Sequence, residues 1–213
     1  MNNVWIVGAG GFGVDIALRF TNDTGENNVF RGFIDSRKDV LQKANETFLV
    51  HKPHLKIEYS TIENIDFSKI STKLMFGTGD PLFKKNFFNQ NNIKYEQFHM
   101  FNLRTNLHKK FIMPGIYFDC LISSQAKVGY ANFIDTFSII SHGCKIGDFN
   151  HIGINVTIGG NVTIGDCNVI HSGAIIGQNV KIGNNCIIGA GAIVLRDLPD
   201  SSKIIAPKSI KLS

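Results

Sequence analysis

The chain has no apolar run approaching the ~18 residues of a membrane span, which excludes a transmembrane helix. It also lacks a basic leader with a cleavage site. Met1 runs into the apolar segment at residues 4–7 and then a glycine-rich turn, so no secretory signal is expected. The four cysteines never fall in CxxC spacing, which removes the usual mark of a zinc knuckle or a redox dithiol. Reduced thiols without an export signal predict a cytoplasmic protein. Excess charge is scarce too. The net charge is +5, a surplus of four before residue 116 and of one after it. So mild and dispersed a surplus suits a small anionic ligand. It speaks against nucleic acid, which wants a concentrated basic patch.

What the chain does have is a period. From Ile116 to Val194 every sixth residue is Ile or Val, fourteen positions without a miss. Helices repeat near 3.6 residues and strands near 2, so a strict period of six belongs to short strands joined by regular corners. The expected architecture is a parallel β solenoid. Gly follows the Ile or Val at 129, 147, 153, 159, 165, 177, 183 and 189, where a tight or left-handed corner is expected. Two residues before most Ile/Val positions stands a thin side chain, among them Cys120, Ala126, Cys144, Val162, Ala174 and Cys186. Small polar residues take that place at Asn132, Ser138, Asn150 and Asn168. One large and one thin inward side chain per hexad fill a narrow triangular prism. Three hexads close a coil, so residues eighteen apart stack at ~4.8 Å.

The first part of the chain is different. Residues 1–105 hold twelve of the seventeen Phe and no hexad register. Strands are predicted at 4–7, 29–35, 74–79 and 95–101, with helices from residue 14 and over 81–89. This is a small parallel α/β unit, Rossmann-like in order. Residues 102–114 lead into the second domain, 106–213, whose residues 195–213 are expected to leave the solenoid as a loop.

Gly8, Gly10 and Gly13 form G-x-G-x-x-G after the first strand, and Asp35 closes the second. Such glycines let backbone N–H groups approach an anion at a helix start, and the carboxylate can hold a ribose hydroxyl. A dinucleotide needs two such halves. One half suits a mononucleotide or a nucleotide-linked sugar better than NAD.

Among seven histidines, His51, His54, His99 and His108 lie outside the repeat and read as surface residues. His171 takes the place of a corner Gly. His142 follows Ile140 by two and should point outward, where neutral imidazole can accept a proton near pH 7. Zinc chemistry on such a helix needs three convergent His. Spacings of nine from His142 to His151 and twenty from there to His171 do not supply them.

A Rossmann-like unit followed by hexads resembles the bacterial sugar acetyltransferases of the hexapeptide-repeat, left-handed β-helix superfamily. Those enzymes N-acetylate nucleotide-linked amino sugars, and the sialic acid O-acetyltransferases are close relatives. The landmarks are residues 8–13, Phe33-Ile34-Asp35, Phe76-Gly77-Thr78-Gly79, Ile112-Met113-Pro114-Gly115, Ile140-Ser141-His142 and residues 146–151. The resemblance implies a nucleotide pocket at Gly10, Gly11, Phe12, Asp35, Ser36 and Gly79. It implies His142 as general base, and His151, Ser172 and Ala190 along an acetyl-CoA channel. It implies acetyl-CoA as co-substrate, no metal, and a homotrimer with sites between neighbours. The implied acceptor is the amine, at C4, of a nucleotide-linked amino-deoxy sugar destined for a surface polysaccharide or glycan. O-acetylation of a sialic acid or similar sugar is the alternative on the same scaffold. A non-catalytic nucleotide-sugar-binding trimer is the alternative from another class. One departure stands out: the family's acidic or amide residue after the base is Gly143 here. Asp135 and Asp148 are candidates to replace it. Arg196, Lys203, Lys208 and Lys211 are candidates for the CoA phosphates.

Overall fold

Residues 4–7 are apolar without alternation, the pattern of a strand covered on both faces. The structure, a computed structural model, describes residues 2–23, 28–61, 64–65, 72–98, 101–103 and 115–206. His99, His108, Lys208, Lys211, Pro207 and residues 112–114 lie outside these. The chain divides into two compact units, residues 1–79 with 83–101, and residues 80–82 with 102–213.

In the first unit β1 (Asn2–Val7) lies inside a parallel four-stranded sheet. Beside it run β2 (Asn28–Ile34), with β3 (Glu58–Ser60) at that edge, and on the other side β4 (Thr72–Phe76). Val4, Trp5, Ile6 and Val7 are all buried. Helix α1 (Gly11–Asp23) follows β1, α2 (Lys38–His51) follows β2, and α3 (Pro81–Gln90) follows β4. The phenylalanines are this unit's core. Phe30 meets Phe20, Phe33 and Phe48 edge-on or tilted, and Phe76 meets Phe87 and Phe98. Helix α2 and strand β3 have no strong periodicity and were not anticipated. The strand expected at 95–101 is instead a 3-10 turn, Tyr95–Gln97, followed by a single bridge from Phe98 to Leu74. Gln97 turns back to accept from the backbone N–H of Lys94, which closes the turn and stops an extended run. Strand β5 (Phe101–Leu103) belongs to a sheet of the solenoid.

The second unit is a three-faced prism of two-residue strands, the left-handed β-helix of hexapeptide repeats. One face carries Leu121–Ile122, Ile139–Ile140, Thr157–Ile158, Ile175–Ile176 and Ile193–Val194. The next carries Lys127–Val128, Lys145–Ile146, Thr163–Ile164 and Lys181–Ile182. The third includes Phe133–Ile134, His151–Ile152, Val169–Ile170 and Ile187–Ile188. Every partner in these stacks is eighteen residues away, as in Ile140↔Ile158 and Ile146↔Ile164. The inward Ile and Val are buried, and so are the thin residues two places before them.

The oxygens of the buried polar side chains are satisfied by the same stacking. The Asn132 side-chain oxygen accepts from Asn150 N–H, Asn150 from Asn168 N–H, and Asn168 from Cys186 N–H, each within 2.8 Å. Ser138 accepts from Val156 N–H and donates to the Gly153 carbonyl. An outer ladder repeats the device: Asp148, Asp166, Asn184 and Asp200 each accept from the N–H of the residue one coil back.

Three expectations change. The left-handed residues are not the glycines after Ile/Val but lie three places after it, as at Ala131, Phe137, Phe149, Asn155, Asn161 and Cys167. The glycines after Ile/Val are needed for closeness. A Cβ on Gly147 would stand 2.3 Å from Asp166 Oδ1, the oxygen that forms the outer ladder. In the first coil, strand β6 (Ile116–Phe118) is displaced by one residue, so that Tyr117, not Ile116, pairs with Ile134 and fills the inward column. Tyr117 is fully buried, and burial pushes its phenol pKa up. Finally, the exit segment is not all loop. Lys203–Ile204 adds a strand beside Ile187–Ile188 and caps that face.

Ile158 is fully buried in the middle coil. Ile158→Asp places an unpaired carboxylate there and should cost at least about 4 kcal/mol. Ile158→Val should cost only about 0.5–1.5 kcal/mol. Thermal or denaturant melting of the two variants measures the contrast, and near-equal melting would show that position 158 does not face the interior.

Candidate functional site

The glycine-rich turn is built by three close approaches. Gly8 has φ +99°, Gly13 lies where a Cβ would meet the Gly8 carbonyl oxygen at 2.1 Å, and a Cβ on Gly77 would meet it at 2.4 Å. These glycines are demanded by packing. Gly10 and Gly11 are not: a Cβ on either meets nothing within 4 Å, and neither has positive φ. They border a cleft of about 460 Å³ with Ala9, Val14, Arg37, Val40 and Lys43, in the usual size range of small-ligand sites. Two glycines with no internal reason to lack a side chain, set on an open cleft, leave backbone free for a ligand to approach.

Asp35 follows β2 beneath this turn and is 7% exposed. It accepts from Ala9 N–H, Arg37 N–H, and the Nε and Nη2 of Arg37, each at 3.0 Å. Burial works to raise its pKa, but the Arg37 guanidinium and the two backbone N–H groups outweigh it and hold the carboxyl below its usual range. Ser36 is exposed beside it, Phe12 is half-buried on α1, and Gly79 follows β4 outside the lining of the cleft. Arg37 and Lys43 were not singled out in the sequence. Arg37 caps α2 and Lys43 lies on its second turn, in a helix that the sequence pattern does not mark.

His142 is exposed at the corner between the apolar face and the lysine-bearing face. Its carbonyl accepts from Asn161 N–H at 2.8 Å, which fixes the backbone to the next coil. Its ring lies over Gly160, the residue eighteen places on. A Cβ there would stand 2.8 Å from both Cε1 and Nε2. Gly160 is thus the seat of the imidazole, and eighteen-residue arithmetic on His142 could have found it. Gly143 has φ +70°, and a Cβ on it would stand 2.1 Å from Asn161 Oδ1. The Asn161 carboxamide therefore occupies the room that a side chain at 143 would need. Asp135 and Asp148 lie on the other two corners. Asp135 accepts from Thr136, and Asp148 from Tyr130 N–H. Within one protomer, therefore, neither stands beside His142. Cys144 is buried, burial pushes its thiol up, and its sulfur donates to the Gly159 carbonyl, so it serves as core.

The remaining residues fall elsewhere on the prism. His151 is half-buried on the third face, its ring 5.0 Å from that of Phe133. Ser172 and Ala190 are exposed and stacked eighteen apart on the corner that enters the apolar face, where Gly191 N–H donates to the Ser172 carbonyl at 3.0 Å. His142 stands on the corner that leaves the same face. Within one protomer, then, the prism stacks Ser172 with Ala190 but does not bring His142 to either. Arg196 repeats the His142 corner position three coils on, and Lys203 sits on the added strand. His171, His51 and His54 are exposed. Among the described residues no group of three His, Cys, Asp or Glu could hold a metal ion, and no helix is long and apolar enough to cross a membrane.

This geometry defines a hexapeptide-repeat protein, and comparison with known proteins bears that out. Residues 143–178 and 161–196 match the bacterial transferase hexapeptide family (six repeats). A search of curated proteins by sequence finds no match. Solved structures resemble the chain over nearly all its length. One is the perosamine N-acetyltransferase PerB from Caulobacter crescentus in complex with CoA and GDP-perosamine. It is 21% identical, with TM-score 0.65, covering 97% of this chain and 95% of that one. Another is the acetyltransferase domain of PglB from Neisseria gonorrhoeae in complex with acetyl coenzyme A. It is 18% identical, with TM-score 0.72 and 97% of both chains covered. WeeI from Acinetobacter baumannii is 17% identical, with TM-score 0.51 and 97% of both chains covered. At these identities the likeness establishes a common fold.

Gly160→Ala should push the His142 ring aside without unfolding the prism. The rotamer strain of about 0.5–1.5 kcal/mol and the gain of about 0.4–1 kcal/mol from a stiffer unfolded chain nearly cancel. The His142 imidazole signals should shift in an NMR spectrum while the melting temperature hardly moves. Unchanged imidazole signals would show that the ring does not rest on Gly160.

Proposed function

We propose that the chain is an acetyl-CoA-dependent acyltransferase that acetylates the amine of a nucleotide-linked amino-deoxy sugar, at C4, for a surface polysaccharide or glycan. The observation that carries this reading is the seat of His142: an exposed imidazole laid on a glycine at a prism corner. The α/β unit, through Gly10, Gly11, Phe12, Asp35, Ser36 and Gly79, is the nucleotide-binding part. The amine nitrogen attacks the thioester carbonyl carbon, and His142 takes the proton that the nitrogen must lose. The tetrahedral oxyanion collapses, the C–S bond breaks, and the imidazolium returns the proton to the CoA thiolate. Holding both reactants supplies much of the acceleration. An amine needs less help from a base than a hydroxyl does, and a base without an acidic neighbour at 143 fits the amine.

The protein works as a homotrimer. Leu121, Ile139, Ile175 and Ile193, 39% to 64% exposed, share one outward column with Thr157, too large an apolar stripe for a face meant for water. His142 borders one edge of that face, and Ser172 and Ala190 border the other. A neighbour covering the face brings such edges together. The small residues Ser172 and Ala190 leave backbone groups open along their corner, which suits the pantetheine arm of acetyl-CoA, and His151 is assigned to the same ligand.

His142→Ala should lower kcat about 10²–10⁴-fold, the range for removing a general base, with nucleotide-sugar affinity nearly unchanged. Thiol release from acetyl-CoA with UDP-, dTDP- and GDP-linked amino sugars measures it, and full activity at pH 7 under chemistry-limited conditions would overturn the assignment.

Light scattering should give a trimer for the native chain, and Ile175→Glu should give inactive, folded monomers. A fully active monomer would remove the inter-subunit site.

A further inference from the structure

We infer that Arg37 takes the diphosphate of the nucleotide, and that Asp35 acts on the ligand only as a positioning residue, through Arg37. This rests on the nucleotide reading of the α/β unit given above.

A carboxylate offers about four acceptor directions. In Asp35 all four are taken within the chain. Oδ1 accepts from Arg37 N–H and Arg37 Nε, and Oδ2 accepts from Ala9 N–H and Arg37 Nη2. The carboxylate is also buried. A ribose hydroxyl could reach it only by breaking a two-point guanidinium–carboxylate pair, among the stronger hydrogen-bonded arrangements in proteins. The direct ribose contact that a Gly-rich turn suggests is therefore poorly served by this carboxylate.

Arg37 is in the opposite position. Its side chain is 63% exposed although two of its five N–H donors are tied down. The tether fixes the guanidinium at the wall of the cleft that Gly10 and Gly11 open, with Lys43 on the same wall. A planar fork with three donors left, held in one orientation before the ligand arrives, matches phosphate oxygens. Asp39 is the one acidic group in the lining, and with Asp35 paired to Arg37 the formal charges balance, so what the cleft offers an anion is the remaining donors of the fork and the Lys43 ammonium. Asp35 thus links two parts of the site. One oxygen holds the turn at Ala9, and both hold the Arg37 fork.

The test uses the full-length protein and four variants: Arg37→Gln, Arg37→Lys, Asp35→Asn and the double variant Arg37→Gln/Asp35→Asn. Calorimetry reads the affinity for UDP, dTDP and GDP. Saturation-transfer NMR reads the affinity for the matching nucleosides. Arg37→Gln should weaken the best-bound diphosphate about 10–100-fold, the worth of a charge-assisted hydrogen bond, and leave the nucleoside nearly untouched. Arg37→Lys should recover little, because an ammonium cannot hold the fork. Asp35→Asn should weaken the diphosphate comparably, and the double variant should lose little more than Arg37→Gln alone. If Asp35→Asn weakens nucleoside and diphosphate equally, or if the two losses multiply, Asp35 contacts the ligand itself and the inference is wrong. If a diphosphate binds the native chain and Arg37→Gln leaves it unchanged, the inference fails and the nucleotide reading stands. If no diphosphate binds the native chain, both fail. Should Asp35→Asn misfold by freeing the turn, the two Arg37 variants still decide whether Arg37 takes the diphosphate, and Asp35→Glu, which keeps the charge, replaces it in the test of Asp35.

Discussion

Each coil of the prism must hydrogen-bond to the next in register, and the rest of this unit follows from that constraint. A strand has only two residues, so from Leu121 to Val194 its few backbone bonds stay in register because each coil there has the same length. The eighteen-residue spacing of Ile140, Ile158 and Ile176 is the direct result. The interior is too narrow for two large side chains per hexad, so a thin one alternates with Ile or Val. A buried polar group survives only if the next coil answers it, and an unanswered one costs about 1–3 kcal/mol. The side-chain oxygens of Asn132, Asn150 and Asn168 meet this condition by repetition, each accepting from the backbone one coil on.

The same stacking places the corner side chains. A corner side chain has as neighbours the residues eighteen before and after it, whatever lies between. His142 rests on Gly160 for that reason, and Asn161 fills the room beside Gly143. The consequence is an imidazole laid on a glycine seat, with Gly143 at the place where the resembling family carries an acidic or amide residue. In the α/β unit the corresponding constraint is the meeting of Gly8, Gly13 and Gly77, which lets β1, α1 and the end of β4 approach closely. Gly10 and Gly11 remain outside that contact, on the open cleft.

Legibility followed the range of the interactions. The hexad stack could be read because each repeat contacts only its neighbours, so local pattern and tertiary contact coincide. It failed at the end of the stack. Ile116 continues the arithmetic, yet Tyr117 takes the inward place opposite Ile134, where the strand on its other side, Phe101–Leu103, comes from outside the hexad series. At the other end, Lys203–Ile204 pairs with a finished face through edge bonds that need no hexad. In the α/β unit the turn at residues 8–13 was visible from its glycines. Helix α2 was not, because its buried face is only Leu41, Ala44 and Phe48 in a polar segment.

By itself, the amino-acid sequence determined the period of the prism, the large and thin inward residues, the start of the α/β unit and the candidacy of His142. These depend on local spacing, which a chain displays without being folded. The tertiary structure alone decided that Asp35 is saturated by Arg37 and Ala9, that His142 lies on Gly160, and that Asp135 and Asp148 stand on other corners. Those facts depend on which groups meet across a strand end or a coil. A carboxylate's partners are set by three-dimensional proximity, and its residue type says only that it will need some.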